Sequence, residues 1–472
     1  MLPIPQRLVE QIERRLRQRR VHGLALLAFD LDGPRFGGGV GFADLDRGEP
    51  VTTETVFRVA SVSKQLTTSV VLKAVGDGLL DLDQPVNDHL PVAQHLTDAE
   101  GRPAPVPLRT LLSHSSGLPS SIRGADLGRP LLTRLANGAV PASLADAVTG
   151  LRLERRPGER IVYANSGLNV AGFLAGLAFG TSFEDAARDE VLAPLGMRRS
   201  EFDTRRSGPG VATPYGSIAP PTVSSKPATA MQLIATPMGG LTSTVEDLAR
   251  FGRMVLGGGA LEGDRILDTG LVAAATTLEI TNHPDLEQGY GLGFKVRRWR
   301  GRRLVGHDGN MPGVAANVWL APDDGVGVVV LTNGFALGIP HEVALLAIDE
   351  LLGPAAVEEE PAAPPSPAEV SELEAFGRRV QGRYHVDGVA PPGIVGTLSR
   401  LTTKVQVIHE ARGLLRVEGN PGSDGPMWLR PDGTPGRYRV SAPVDHGTNA
   451  VFDDRPDGLR LWISQATLLR PA

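Results

Sequence analysis

Residues 353–370, GPAAVEEEPAAPPSPAEV, hold five prolines, five alanines and four glutamates. Such a stretch has almost no bulky apolar side chain to bury, so it reads as an extended linker. The 472-residue chain must therefore fold in two parts. Residues 1–352 are long enough for a large core, and residues 371–472 for a small one.

The first part begins with residues 5–20, where Leu8, Ile12 and Leu16 recur every four positions among charges, predicting an amphipathic helix. GLALLAFD (23–30) and RFGGGVGFAD (35–44) read as strands joined by a tight turn at Leu31–Pro34. SVSKQLTTSVVLKAVGDGLL (61–80) repeats Val62, Leu66, Val70 and Ala74 at helical spacing and stops at Gly76 and Gly78. Helical patterns then alternate with Pro/Gly-rich loops to about residue 270. YGLGFKVRRW (290–299), RRLVGHDG (302–309), ANVWLAPDD (316–324) and GVGVVVLTN (325–333) read as consecutive strands. Strands at both ends with helices between predict an α/β sandwich whose sheet its N- and C-terminal strands close. Beyond the linker, KVQVIHE, LLRVEG, GRYRVSA and LRLWISQATLL stand between Gly/Pro/Asp turns. They predict a small antiparallel β domain of barrel type.

Composition removes several classes of function. There are 48 basic and 53 acidic residues, a net charge of −5, which argues against a nucleic-acid binder. With no cysteine, disulfides, thiol nucleophiles and zinc–thiolate sites are excluded. The ten histidines show no HExxH or paired-ligand spacing, so neither metal nor cofactor is expected. No apolar run reaches the ~18 residues that span a bilayer. The charged first helix is no secretion signal, so the chain is either cytoplasmic or already processed, and a cytoplasmic location is expected. Asp30-Leu-Asp-Gly33 resembles a phosphatase signature, but Pro34 follows it and a hairpin turn explains it. The arginine run at 297–303 reads as a solvated hairpin.

Three triplets carry chemistry. In Ser61-Val-Ser-Lys64, positions i and i+3 share a helical face, so a hydroxyl and an amine meet one turn apart. A serine needs a base, and lysine serves if burial depresses its pKa. Taken alone, the same four residues also describe a helix cap and an exposed lysine. Tyr163-Ala-Asn165 offers a hydroxyl that relays a proton if cationic neighbours lower its pKa, and an amide able to orient a lysine or bind a carbonyl. His307-Asp308-Gly309 ends a strand in glycine, which lets a ligand approach main-chain N–H groups.

Their order, SxxK then YxN then HxG, resembles the layout of the serine β-lactamase and penicillin-recognising hydrolase superfamily. The likeness is to the branch with class C β-lactamases, DD-peptidases, family VIII esterases and D-stereospecific aminopeptidases. GFADLDRGEPVTTETVFRVASVSKQ (41–65), LRTLLSHSSGLP (108–119), GGLTSTVEDLARF (239–251) and YGLGF (290–294) extend it over roughly residues 1–350. The resemblance implies a β-lactamase/DD-peptidase-like α/β (α+β) sandwich. In it Ser61 is the acylated nucleophile, Lys64 its base, and Tyr163 the partner that shuttles the proton. Asn165 would position Lys64 and the substrate carbonyl, and the N–H groups of Ser61 and Asn310 would form the oxyanion hole. His114 belongs to the family pattern and is expected to be structural. His307 and Gly309 line the substrate side, and His307 departs from the Lys-Thr-Gly of many relatives. A mostly neutral imidazole there removes the cation that attracts a substrate carboxylate. The expected activity is hydrolysis of small D-amino-acid amides or peptides, as in D-aminopeptidases. A carboxylesterase, a β-lactamase or DD-carboxypeptidase, and a non-catalytic sensor are the alternatives. Partners reduce to a small-molecule or short-peptide substrate, with no nucleic acid or membrane, and a homodimer is allowed.

Overall fold

The computed structural model describes all residues except 120–141, 217–226, 229–231, 335–337, 354–365, 388–403, 420–426, 433–435, 442–448, 456–457, 464–465 and 472. Gly23–Asp30 (β1) and Gly33–Asp44 (β2) form the expected hairpin. Asp30 Oδ1 accepts the N–H groups of Asp32 and Gly33 at 3.0 and 3.1 Å, so these acidic residues build a turn. Lys295–Trp299 (β3), Arg302–Met311 (β4), Val314–Ala321 (β5) and Val326–Thr332 (β6) run up and down, and β6 pairs with β1. The sheet order is β2-β1-β6-β5-β4-β3, flanked by short strands at Leu2–Pro3 and Gly289–Tyr290. The stretch 290–299 is thus two strands, not one.

The longer helices of this part are Gln6–Arg19 (α1), Ser63–Gly76 (α2), Asn165–Phe179 (α3), Val245–Leu256 (α4) and Ile339–Leu352 (α5). Successive side chains of a strand point to opposite faces, and here both faces are covered. Leu24, Leu26 and Ala28 of β1 enter one core with Leu8, Ile12 and Leu16 of α1 and Val343, Ala347 and Ile348 of α5. Ala25, Leu27 and Phe29 enter a second core with α2, α3 and α4. That is why β1 and β6 read as unbroken apolar runs. Each large aliphatic side chain buried this way contributes roughly 1.5–3 kcal/mol. Within the arginine run, Arg300, Arg302 and Arg303 pair with Asp349, Asp324 and Asp323. Arg297 departs from the solvated reading: it is buried, with its guanidinium 5.9 Å from the Trp319 ring.

Residues 354–365 of the expected linker lie outside the described residues. Its last four residues are the first turn of Pro367–Val380 (α6), opened by a capping box between Ser366 and Glu369. The strands that follow close into a barrel, because Gly382–Asp387 (β7) pairs with both Lys404–His409 and Ala466–Pro471. Tyr384, Val407, Leu415, Leu429, Val440 and Leu461 fill its core, and Phe376 of α6 packs against it. LRLWISQATLL divides into two strands, Gly458–Ile463 and Ala466–Pro471. Among the described residues no single helix is long and apolar enough to cross a membrane.

Candidate active site

Ser61 sits in a 3₁₀ turn, Ala60–Val62, that runs directly into α2. Ala60 adopts φ +49°, a left-handed conformation unusual for a residue with a side chain, and the turn is tied down around it. Ser63 Oγ donates to the Ala60 carbonyl at 2.6 Å and accepts the Leu241 N–H at 3.0 Å. α2 is buried nearly all round, polar side chains included, and Lys64 is wholly inaccessible to solvent.

The structure brings Ser61, Lys64 and Tyr163 into contact. Lys64 Nζ lies 2.9 Å from Ser61 Oγ, and the Tyr163 hydroxyl donates to the same oxygen at 2.8 Å. Lys64 Nζ also donates to the Met238 carbonyl and stands 5.0 Å from the centre of the Tyr163 ring. The Met238 N–H in turn donates to Asn169 Oδ1 at 3.1 Å. Among the described residues these are the hydrogen-bond partners of Lys64. Asn165, expected to position it, is buried at the start of α3 and makes no described bond to it. A main-chain carbonyl leaves no mark in sequence, so Met238 was not foreseeable there.

Burial holds the Lys64 amine well below the usual lysine value; the nearby Asp308 charge opposes this and the Lys295 charge adds to it. The shift favours the neutral amine, the form a base requires. Burial moves Tyr163 the other way, raising its phenol above the ordinary tyrosine value although its bond to Ser61 pulls downward. The expectation of a lowered tyrosine pKa is thus reversed: Tyr163 keeps its proton and is a donor at rest.

His114 fixes that tyrosine. Its carbonyl accepts the Val162 N–H at 2.8 Å and its Nδ1 accepts the Ala164 N–H at 3.2 Å, so Tyr163 is bracketed on both sides. The His114 and Tyr163 rings lie 4.3 Å apart, and Tyr290 packs edge-on to His114 at 4.7 Å. His114 and Tyr290 both lay inside stretches noted in the sequence, yet only the fold shows them meeting at Tyr163.

β4 forms the facing wall. β3 pairs with residues 302–306 of β4, so this edge is free of β3 from His307 onward, where the strand meets the Ser61 turn. A Cβ at Gly309 would fall 2.1 Å from the Val59 carbonyl oxygen and 3.1 Å from Ser61 N, which explains the glycine. Asn310 follows it and is exposed. His307 is buried, and its Nδ1 donates to the Asp308 carbonyl at 2.6 Å, which leaves Nε2 an acceptor without a partner among the described residues. Burial pushes the imidazole down to about 3, helped by the Lys295 charge, so His307 is neutral at pH 7. The Lys295 ammonium on β3 pairs with the Asp308 carboxylate, a contact not foreseen from sequence. Burial would raise that carboxyl, but Lys295 holds it below the ordinary range. The wall offers no uncompensated charge from this pair. Among the described residues no cluster of His, Asp or Glu is placed to hold a metal ion.

A family model described as Beta-lactamase matches residues 8–352, and the chain belongs to that family. It is a serine hydrolase of the β-lactamase-related superfamily. It is 29% identical over 382 residues to penicillin-binding protein 4 of Amycolatopsis lactamdurans, covering 79% of this chain and 96% of the relative. Two solved structures share the fold. One is the octameric penicillin-binding protein homologue of Pyrococcus abyssi, at 23% identity and TM-score 0.62, covering 98% of this chain and 99% of that one. The other is a D-stereospecific amidohydrolase from Streptomyces sp., at 23% identity and TM-score 0.57, covering 71% and 95%.

Proposed function

We propose that the chain hydrolyses small acyl compounds through an acyl-enzyme at Ser61, with D-amino-acid amides or short peptides as the first substrate class. Lys64 Nζ takes the Ser61 proton as Oγ attacks the carbonyl carbon. The N–H groups of Ser61 and Asn310 receive the oxyanion, and Asn165 holds the substrate carbonyl side. Tyr163 gives its proton to the leaving group and recovers one from Lys64, so collapse releases the amine and leaves the ester on Ser61. Water then repeats the sequence and frees the acid. The Ser61–Lys64–Tyr163 contacts support this reading.

The neutral His307, with Lys295 already paired, carries the substrate preference. A lysine at 307 would form a charge-assisted bond to a carboxylate, typically worth ~1.5–3 kcal/mol. Without it, cephalosporins and C-terminal D-Ala-D-Ala lose about one to two decades in kcat/KM. The amidohydrolase of the same fold agrees with a D-amide substrate. A carboxylesterase is the second reading, favoured by the same uncharged wall. One panel decides: a D-alanine anilide, its L-isomer, a nitrophenyl ester, a cephalosporin and D-Ala-D-Ala. Fastest turnover of the D-anilide supports the first reading and of the ester the second; fastest turnover of the cephalosporin overturns both. The sequence reading allows a homodimer, and sedimentation separates it from larger assemblies such as the octamer described for the P. abyssi homologue.

A further inference from the structure

The segment 279–290 touches both the barrel and the tyrosine of the site. On the barrel side, Leu286 is buried in one cluster with Val451 and Trp462, and the His283 ring lies 6.5 Å from the Trp462 ring. Asp285 pairs with Arg437, and Glu287 with Arg439 at 3.5 Å. These ion pairs are half-exposed and contribute little energy, so the apolar cluster holds the contact and the charges set its register. The segment is stiffened from within. Thr281 Oγ1 donates to the carbonyls of His283 and Gln288, and the Leu286 N–H donates to the His283 carbonyl at 3.0 Å.

On the other side, Asn282 Oδ1 accepts the N–H of Ile161 at 2.8 Å, two residues before Tyr163. Asn282 Nδ2 is buried without a partner among the described residues, so the side chain spends its one described bond on Ile161. The segment then ends at Tyr290, whose N–H donates to the Ile280 carbonyl and whose ring packs against His114. We propose that Asn282 is a positioning residue for the Tyr163 segment and that docking of the barrel on Leu286 holds it in place. Loss of either contact lets residues 160–164 move and lengthens the Tyr163–Ser61 hydrogen bond. The barrel thereby sets the rate of a reaction whose groups all lie on the other part of the chain. This rests on the proton-relay reading of Tyr163.

Full-length Asn282→Leu, Asn282→Asp, Leu286→Ala and Leu286→Glu test it, with hydrogen exchange of peptides covering 159–164 read beside kinetics on a nitrophenyl ester. Asn282→Leu and Leu286→Glu are expected to speed exchange at 159–164 and to lower kcat roughly tenfold with KM little changed. Asn282→Asp keeps the accepting oxygen and should restore both; Leu286→Ala should fall between. The proposal is overturned if Asn282→Leu leaves exchange at 159–164 unchanged, or if both Leu286 variants do so while remaining folded. Tyr163→Phe separates the two readings. If it keeps full activity the relay role fails, yet the exchange data still report whether the barrel braces the segment.

Discussion

Taking an ammonium wholly out of water costs several kcal/mol, and a neutral amine avoids that cost. Lys64 is in that position, so kcat/KM should fall on acidification, as the amine gains a proton, through an apparent value well below the usual lysine ~10.4. No descending limb from Tyr163 is expected up to about pH 10, because its phenol is raised. A pH–rate profile on an uncharged ester checks both limbs. Ser61→Ala and Lys64→Ala should each lower kcat at least ~10³-fold while the far-ultraviolet spectrum is kept. A fluorophosphonate adduct on Ser63 or Ser166 instead of Ser61 would defeat the assignment. His307 adds a stability effect. Its folded value, about 3, lies below the unfolded ~6.5, so the unfolded chain binds the extra proton between them. Stability is full above pH ~6.5 and falls through that window by up to ~1.4 kcal/mol per pH unit, seen as a dropping urea midpoint that His307→Gln flattens. His307→Lys should raise turnover of D-Ala-D-Ala relative to the ester. The triplets were readable because the proposed reaction needs side chains of particular types. The direction of the Tyr163 shift was not, since burial, its largest cause, is a property of the fold.

At the scale of elements, β4 meets the Ser61 turn at Gly309, where the two backbones approach closely. Gly309→Ala puts a methyl group against the Val59 carbonyl, so β4 or the turn must shift by an ångström or more. The expected result is a loss of at least ~10²-fold in kcat with a measurable fall in melting temperature, since misplacement of that size costs about two decades. Near wild-type kinetics would remove Gly309 from the argument. Strands β1 and β6 were legible because a strand covered on both faces must be apolar throughout. Met427–Pro431 and Asn449–Arg455 were not: a proline in one and a charged end in the other hide the alternation. α6 escaped for a different reason. Ser366, Pro367 and Glu369 are a start signal four residues wide, and the surrounding Pro/Ala/Glu composition drowned it.

At the scale of the molecule, the barrel has no free edge only because Ala466–Pro471 lies against β7. Removing those residues opens two strand edges, and the truncated protein should associate on sizing columns while a full-length control does not. The catalytic part carries a related burden during synthesis. β1 and β2 form their hairpin at once, but the other edge of β1 waits for β6, roughly 300 residues later in the chain. At ~5–20 residues per second, the ribosome leaves that apolar edge unpaired for about 15–60 s. Ala25, Leu27 and Phe29 stay without their final packing for the same interval. A nascent chain of this design depends on something to shield β1, and its yield in a cell should follow the supply of chaperones and the speed of translation more closely than the stability of the finished enzyme.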